Sequence, residues 1–148
     1  FFATLFKLIS SYLKPLFKCN DFICKIFVED TDFQGVVYHA NYLKYFERSR
    51  SQFLADHHLS QTDALLNMES YVVKKIDLEF CAPAKLEDIL IIKTNAVLVS
   101  KARIQFLQSA VNQKNDTLIC KGLVEVCYLD STKNKPKAFP DSLLALFR

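Results

Sequence analysis

The sequence is poor in the residues that break regular structure, with 2 Gly and 4 Pro in 148 residues. That scarcity excludes collagen-like and low-complexity organisation, and 51% hydrophobic content excludes a disordered chain. With only Gly35 and Gly122 present, no dinucleotide-binding glycine motif exists, so a nicotinamide cofactor is not expected. No C-x-x-C pair occurs among the five cysteines, at positions 19, 24, 81, 120 and 127. An odd count without such pairs reads as reduced cysteine packed as a small hydrophobe, in a cytoplasmic protein without a metal site. No apolar run is long enough to span a bilayer, because Lys7 and Lys14 interrupt the N-terminal stretch. A signal peptide fits poorly, for want of a basic start and a small-residue cleavage pattern. A strong charge excess is missing too, and a net charge of +3 carries no nucleic-acid footprint.

The small excess is localised. Residues 1–20 hold Lys7, Lys14 and Lys18 and no acid, while the rest of the chain is neutral. The chain begins with Phe1 and its one Met is Met68, which reads as a trimmed form or part of something longer. The length suits one domain, expected over 21–148, preceded by an extension over 1–20. A domain of this size buries roughly 70% of its unfolded surface, so its 13 Phe can form a core without staples.

Hydrophobic spacing divides the chain. Phe2, Leu5, Phe6, Ile9, Leu13, Leu16 and Phe17 recur at helical spacing, opposite Lys7, Ser11, Lys14 and Lys18. This predicts an amphipathic helix over 2–17, kinked at Pro15, packed on its own domain or a partner, or lying on an anionic lipid surface. Phe22–Val28 is β-branched and aromatic and predicts a strand. A polar break follows, and Gly35 is expected to supply a backbone angle that other residues resist. From Ala40 to His57 the period is helical, with Tyr42, Tyr45, Phe46, Ser49 and Phe53 on one face. A short helix is expected over Gln61–Asn67. Four strands follow at Tyr71–Phe80, Ile89–Val99, Arg103–Gln113 and Thr117–Leu129, and Asp141–Phe147 forms a terminal helical turn with Asp141 near its cap. An early helix and consecutive strands indicate an α+β fold, with about five antiparallel strands wrapped around one long aromatic helix.

Functional residue types concentrate between Glu29 and Asn41. Asp30 and Asp32 follow a strand, and His39 and Asn41 open the long helix. A helix N-terminus carries unpaired N–H groups and partial positive charge. It can hold an oxyanion while a nearby carboxylate acts as nucleophile or base. Taken singly, Asp32 also fits a capping aspartate and His39 a structural histidine. The Asp-Thr-Asp run resembles aspartate-nucleophile phosphatases as well. Phe33-Gln34-Gly35 follows it, however, and the consecutive strands beyond do not suit that family's alternating chain.

The segment from Val28 to Arg50 (VEDTDFQGVVYHANYLKYFERSR) resembles the signature of hotdog-fold acyl-CoA thioesterases. Within these it is similar to the 4-hydroxybenzoyl-CoA thioesterase-like family, of the YbgC type associated with the Tol–Pal system. The resemblance runs from about Cys24 to Pro140 and takes in Phe80-Cys-Ala-Pro83, Ser100-Lys101, Gln108 and Lys135-Pro136. It implies a curved sheet wrapped around a central helix, and a homodimer or homotetramer with active sites between protomers. It implies hydrolysis of an acyl-CoA or acyl-carrier-protein thioester to a carboxylic acid and a free thiol. No cofactor is implied beyond the coenzyme A of the substrate.

Asp32 matches the family's catalytic carboxylate, as nucleophile or general base. His39 matches a histidine of the subgroup, at the N–H that polarises the thioester oxygen. Tyr38, Ser100 and Lys101 fall at substrate-binding positions, with Lys101 toward the nucleotide. The subgroup carries Tyr four residues before the carboxylate, where this chain has Val28. An alternative in a different class is a non-catalytic module binding acyl carrier protein or phospholipid-synthesis enzymes. It would reach the inner membrane face peripherally through residues 1–20.

Overall fold

The structure is a computed structural model and describes residues 15–148. One antiparallel sheet contains β1 (Leu16–Lys18), β2 (Phe22–Lys25), β3 (Glu69–Phe80), β4 (Ile89–Ser100), β5 (Arg103–Asn112), β6 (Leu118–Asp130) and β7 (Lys135–Pro136). The helices are α1 (Asn41–Asp56), α2 (Gln61–Leu66) and α3 (Asp141–Leu144). Strand order is β1-β4-β5-β6-β3, with β2 also on β4 and β7 also on β6. The four long strands therefore stand as the sequence pattern indicates. The count rises to seven because the outer partner of β4 is split in two and the short β7 adds to β6. Leu16–Lys18 pairs with Asn95–Val97, and Phe22–Lys25 pairs with Ile89–Ile92.

That split corrects the reading of the N-terminal segment. Leu16 and Phe17, placed by spacing on a helix, are extended. Proline cannot sit in a helix interior without losing a hydrogen bond, and β4 offers unpaired backbone groups that an extended segment satisfies. The Phe17 ring meets Phe53 at 5.7 Å, His57 at 5.2 Å and Phe147 at 6.3 Å. Cys19 is buried, and its N–H donates to Thr94 O at 3.0 Å. Residues 16–19 are thus built into the sheet and its core. The rest of the segment for which an amphipathic helix is expected lies outside the described residues. The strand expected over Phe22–Val28 stops at Lys25, and Val28–Asp30 is a 3₁₀ turn.

α1 buries Tyr42, Tyr45, Phe46, Ser49, Arg50, Phe53 and Leu54 against the sheet, the stripe that helical spacing predicts plus Arg50 and Leu54. Two core clusters lie along it. Tyr42, Tyr45 and Phe46 pack with Ile26, Leu90, Ile92 and Ile119, while Phe53 and Leu54 pack with Ile104, Phe106, Val126 and Phe139. Each large side chain so buried contributes about 2 kcal/mol. β6 can run beneath the helix because position 122 has no side chain. A Cβ there would lie 2.3 Å from Leu78 Cδ2 and 2.9 Å from Asp77 O, beside the Phe46 ring. α2 is capped by Ser60, whose hydroxyl accepts from Asp63 N–H at 3.1 Å. Asp141 is the first residue of α3, one position inside its cap, Pro140. All five cysteines are free.

Candidate active site

The Asp30–Tyr38 segment is a small hairpin tied at both limbs. Asp32 N–H donates to Val36 O at 2.9 Å, and Tyr38 N–H to Asp30 O at 2.9 Å, with Thr31 and Val37 bridged between them. Its tip is closed by Gly35, whose N–H donates to Asp32 O at 3.0 Å and whose φ is +79°. That angle is the one expected of it. The hairpin is fixed from three sides. Asp30 Oδ2 accepts from Phe27 N–H at 2.8 Å across the 3₁₀ turn. Asn41 Nδ2, at the start of α1, donates to Asp30 O at 2.9 Å. Val37 N–H donates to the buried Ala84 at 2.9 Å, beside a Val36–Lys85 bridge. The adjacent Tyr45 hydroxyl is buried and makes no hydrogen bond of sound geometry among the described residues. Burial, and then the Asp30 carboxylate beside it, push this phenol far above its ordinary value.

Asp32 is half-buried on this hairpin. Its Oδ1 accepts from Gln34 N–H at 2.8 Å, which orients the carboxylate while Oδ2 makes no bond among the described residues. His39 is exposed at the head of α1, its ring 4.5 Å from Tyr38 and 6.1 Å edge-on from Phe80. It borders an open groove of ≈ 340 Å³ with Val37, Tyr42 and the Phe80–Pro83 segment. Asn41 N–H donates to Tyr38 O and Leu43 N–H to Ala40 O, whereas His39 N–H meets no acceptor among the described residues. The hairpin thus presents a carboxylate oxygen, and the residue that follows it an unmet amide N–H and an imidazole. Asp32 itself does not line the His39 groove. The surrounding surface is strongly apolar, since Phe27, Val28, Phe33, Tyr38 and Phe80 are all exposed, Phe33 to 96%.

Ser100 and Lys101 lie elsewhere. They form the exposed β4–β5 turn, where Ser100 Oγ accepts from Ala102 N–H at 3.3 Å and Lys101 O from Phe139 N–H at 2.7 Å. Within one chain this turn is at the far end of β4 from the Asp32 hairpin, a strand length of roughly 35 Å away. The structure therefore sets Asp32 and Tyr38 on one hairpin, with His39 directly after it and stacked near Tyr38, and leaves Ser100 and Lys101 apart.

Beneath α1 lies a polar network that sequence reasoning did not find. Arg50 Nη1 donates to Gln108 Oε1 at 2.9 Å. Gln108 Nε2 donates to Phe46 O and to Thr94 Oγ1, both at 3.0 Å, and Thr94 Oγ1 shares a bond with Ser49 Oγ at 2.9 Å. The available signal was the position of residue 50, four after Phe46 and three before Phe53, on the buried stripe. No group of three or more His, Cys, Asp or Glu is placed to hold a metal ion among the described residues. Nor is any described helix long and apolar enough to cross a membrane.

A sheet wrapped on one central helix, with a carboxylate-bearing hairpin at the helix head, defines the hotdog thioesterase class. The chain belongs to the thioesterase-like superfamily, which it matches over residues 27–147. It is 40% identical over 124 residues to the acyl-CoA thioester hydrolase YbgC of Escherichia coli O6:H1, covering 84% of this chain and 92% of that one. It is 38% identical over 127 residues to the acyl-CoA thioesterase YbgC of Haemophilus influenzae, covering 85% and 92%. Among solved structures, a 1,4-dihydroxy-2-naphthoyl-CoA thioesterase from Synechocystis superposes with a TM-score of 0.83 at 18% identity, over 86% of this chain and 93% of the other. At that identity the match speaks for the fold.

Proposed function

We propose that this chain hydrolyses an acyl-CoA (or acyl-carrier-protein) thioester, with Asp32 as nucleophile or general base. The observation that carries the reading is the hairpin itself, which holds Asp32 by Oδ1 and leaves Oδ2 unbonded, with the unmet His39 N–H on the same loop. The carboxylate attacks the thioester carbonyl, or takes a proton from a water that does. The carbonyl oxygen gathers negative charge as it goes tetrahedral, and N–H groups at the head of α1, His39 foremost, stabilise it. Collapse expels coenzyme A as a thiolate, a good leaving group that needs little help from a general acid. Where Asp32 attacks directly, water then cleaves the mixed anhydride and restores the carboxylate. Tyr38 lines the approach. At position 28 the chain presents an exposed valine, so no hydroxyl acts from there.

The active unit is a homo-oligomer. β3 is the outer strand of the sheet, and Val72, Val73, Ile76 and Phe80 are exposed along it. A long apolar edge of this kind is stable in water only when covered or paired. The His39 groove lies at the C-terminal end of β3, through Phe80. The Ser100–Lys101 turn lies at its N-terminal end, since Arg103 pairs with Cys127 and Glu69 with Asp130. Two-fold antiparallel pairing of β3 with a second copy brings the Lys101 end of one chain to the Asp32 end of the other. Lys101 and Ser100 then serve the phosphate-rich nucleotide of a substrate bound across the junction.

The test is a panel of acyl-CoAs assayed with a thiol reagent, alongside Asp32→Asn. Release of coenzyme A that falls at least a thousandfold in the variant is the expected result. Turnover unchanged by the substitution removes Asp32 from the chemistry, and no turnover on any acyl-CoA removes the function.

A further inference from the structure

The C-terminal half of α1 and the sheet beneath it line a partly open cavity of ≈ 130 Å³ that the reaction above does not use. Its walls are mainly apolar, with Phe53, Phe106, Val126 and Leu143 among them. Arg50 lines it as well, although that residue is only 8% exposed. A guanidinium has five N–H donors. One reaches Gln108 Oε1; no carboxylate stands within ion-pair range and no second acceptor meets it among the described residues. Gln108 cannot turn further toward it, because its amide nitrogen is committed to Phe46 O and Thr94 Oγ1.

Glu47 is the one acid on the lining and supports the cation at a distance. Its carboxylate accepts from Ser51 Oγ at the rim, where Gln61 Nε2 also donates to Ser51 Oγ at 3.1 Å. Burial lowers the Arg50 pKa to about 10, so the group still carries its charge at neutral pH. A buried cation whose nearest carboxylate stands beyond ion-pair range is disfavoured. An anion whose remainder is apolar would satisfy both the guanidinium and the walls.

Size limits that anion. An apolar cavity of about 150 Å³ holds a benzene-sized guest, roughly six heavy atoms. We propose that this cavity binds short aliphatic carboxylates of about four carbons, with the carboxylate on Arg50 and the tail among Phe53, Phe106 and Val126. Two sources share this chemistry. One is a free acid, of the kind a thioester hydrolase releases; the other is the distal carboxylate of a dicarboxylic acyl chain still attached to coenzyme A. The site stands without the proposed reaction, and its primary readout is binding.

The test is thermal unfolding of the intact protein in sodium butyrate, against equimolar sodium chloride and butyramide. Butyrate at ten times half-saturation is expected to raise Tm by about 4 °C, with no rise in butyramide. Arg50→Gln is expected to abolish the shift. Should that variant fail to fold, Val126→Leu intrudes on the cavity from its apolar wall and is expected to reduce the shift at least fivefold. No butyrate shift, an equal shift with butyramide, or an unchanged shift in the variants overturns the proposal. The sources separate in turnover of succinyl-CoA relative to butyryl-CoA. A succinyl preference that collapses about tenfold in either variant assigns the site to the attached chain. An unchanged ratio beside a butyrate shift lost in the variants assigns it to the free acid.

Discussion

The two halves of α1 handle polar groups in opposite ways. At its head, Asp30, Asp32 and Asn41 spend their hydrogen bonds on neighbouring backbone, which shapes a hairpin and leaves Asp32 Oδ2 and His39 N–H open to a substrate. Toward its C-terminus, Arg50 is buried against the sheet with a glutamine as its bonded partner. The head is a site placed at the surface by local turns. The other half is a charge placed in the core by tertiary packing. The difference teaches where each contribution lies: rate at the head, and stability and ligand selection beneath the helix.

The largest expected effect tests the first half of that statement. Asp32→Asn keeps an oxygen to accept the Gln34 N–H, so the hairpin survives and Tm moves by no more than about 1 °C. The rate falls at least a thousandfold, about 4 kcal/mol of transition-state stabilisation. A large fall in Tm together with the rate would show the carboxylate to be structural and break the comparison. Gln108→Leu tests the other half. It strips Arg50 of its acceptor and removes the donors to Phe46 O and Thr94 Oγ1. Loss of about 3 kcal/mol is expected, near 9 °C in Tm, while the folded fraction keeps its kcat/KM within about twofold.

The two glycines sharpen the contrast at smaller scale. Gly122 is needed for space, since a Cβ would meet Leu78 Cδ2 and Asp77 O. Gly122→Ala should cost about 2 kcal/mol by overpacking in urea unfolding, with little change in kcat. Gly35 is needed for angle, with nothing within 4 Å of an added Cβ. Gly35→Ala should cost only about 1 kcal/mol, yet depress kcat by distorting the turn that Asp32 closes. Equal kinetic effects at both positions would show that the hairpin geometry is not what the reaction depends on.

Legibility follows the same division. The head of α1 was readable because its residues are contiguous. A carboxylate, a glycine with a left-handed φ and a helix start within ten residues leave a local pattern that needs no knowledge of distant strands. The long strands and the aromatic stripe were readable by periodicity. Arg50 was not, because its environment comes from Gln108, 58 residues away, and a lone arginine on a helix is ordinarily solvated. Leu16 and Phe17 were misread for a related reason: three residues hold too little periodicity to choose between helix and strand, and the free edge of β4 decided the outcome. The separation of Lys101 from Asp32 within one chain was also hidden, since register along the sheet sets it.

The smallest effect asks whether the two halves unfold together. Cys19 belongs to the core cluster under the C-terminal half of α1, and Cys120 to the cluster under its head. Burial pushes both thiols up to about 12, with nearby Asp56 adding to the rise at Cys19 and Cys81 at Cys120. In the unfolded chain a thiol titrates near 9. Below that pH both states are protonated and the stabilisation is fully present. Above it the unfolded chain loses protons that the folded one keeps, so stability falls as pH rises from 9 toward 12. The slope is at most about 1.4 kcal/mol per pH unit for each thiol. Cys19→Ala and Cys120→Ala each delete one such slope. The stability gap between variant and parent, measured by urea unfolding at pH 8, 9 and 10, should therefore narrow as pH rises. Equal narrowing for both makes the sheet and helix one cooperative unit, in which the division along α1 is chemical alone. Narrowing confined to one variant would mean that the surface site and the buried cation belong to separately melting parts.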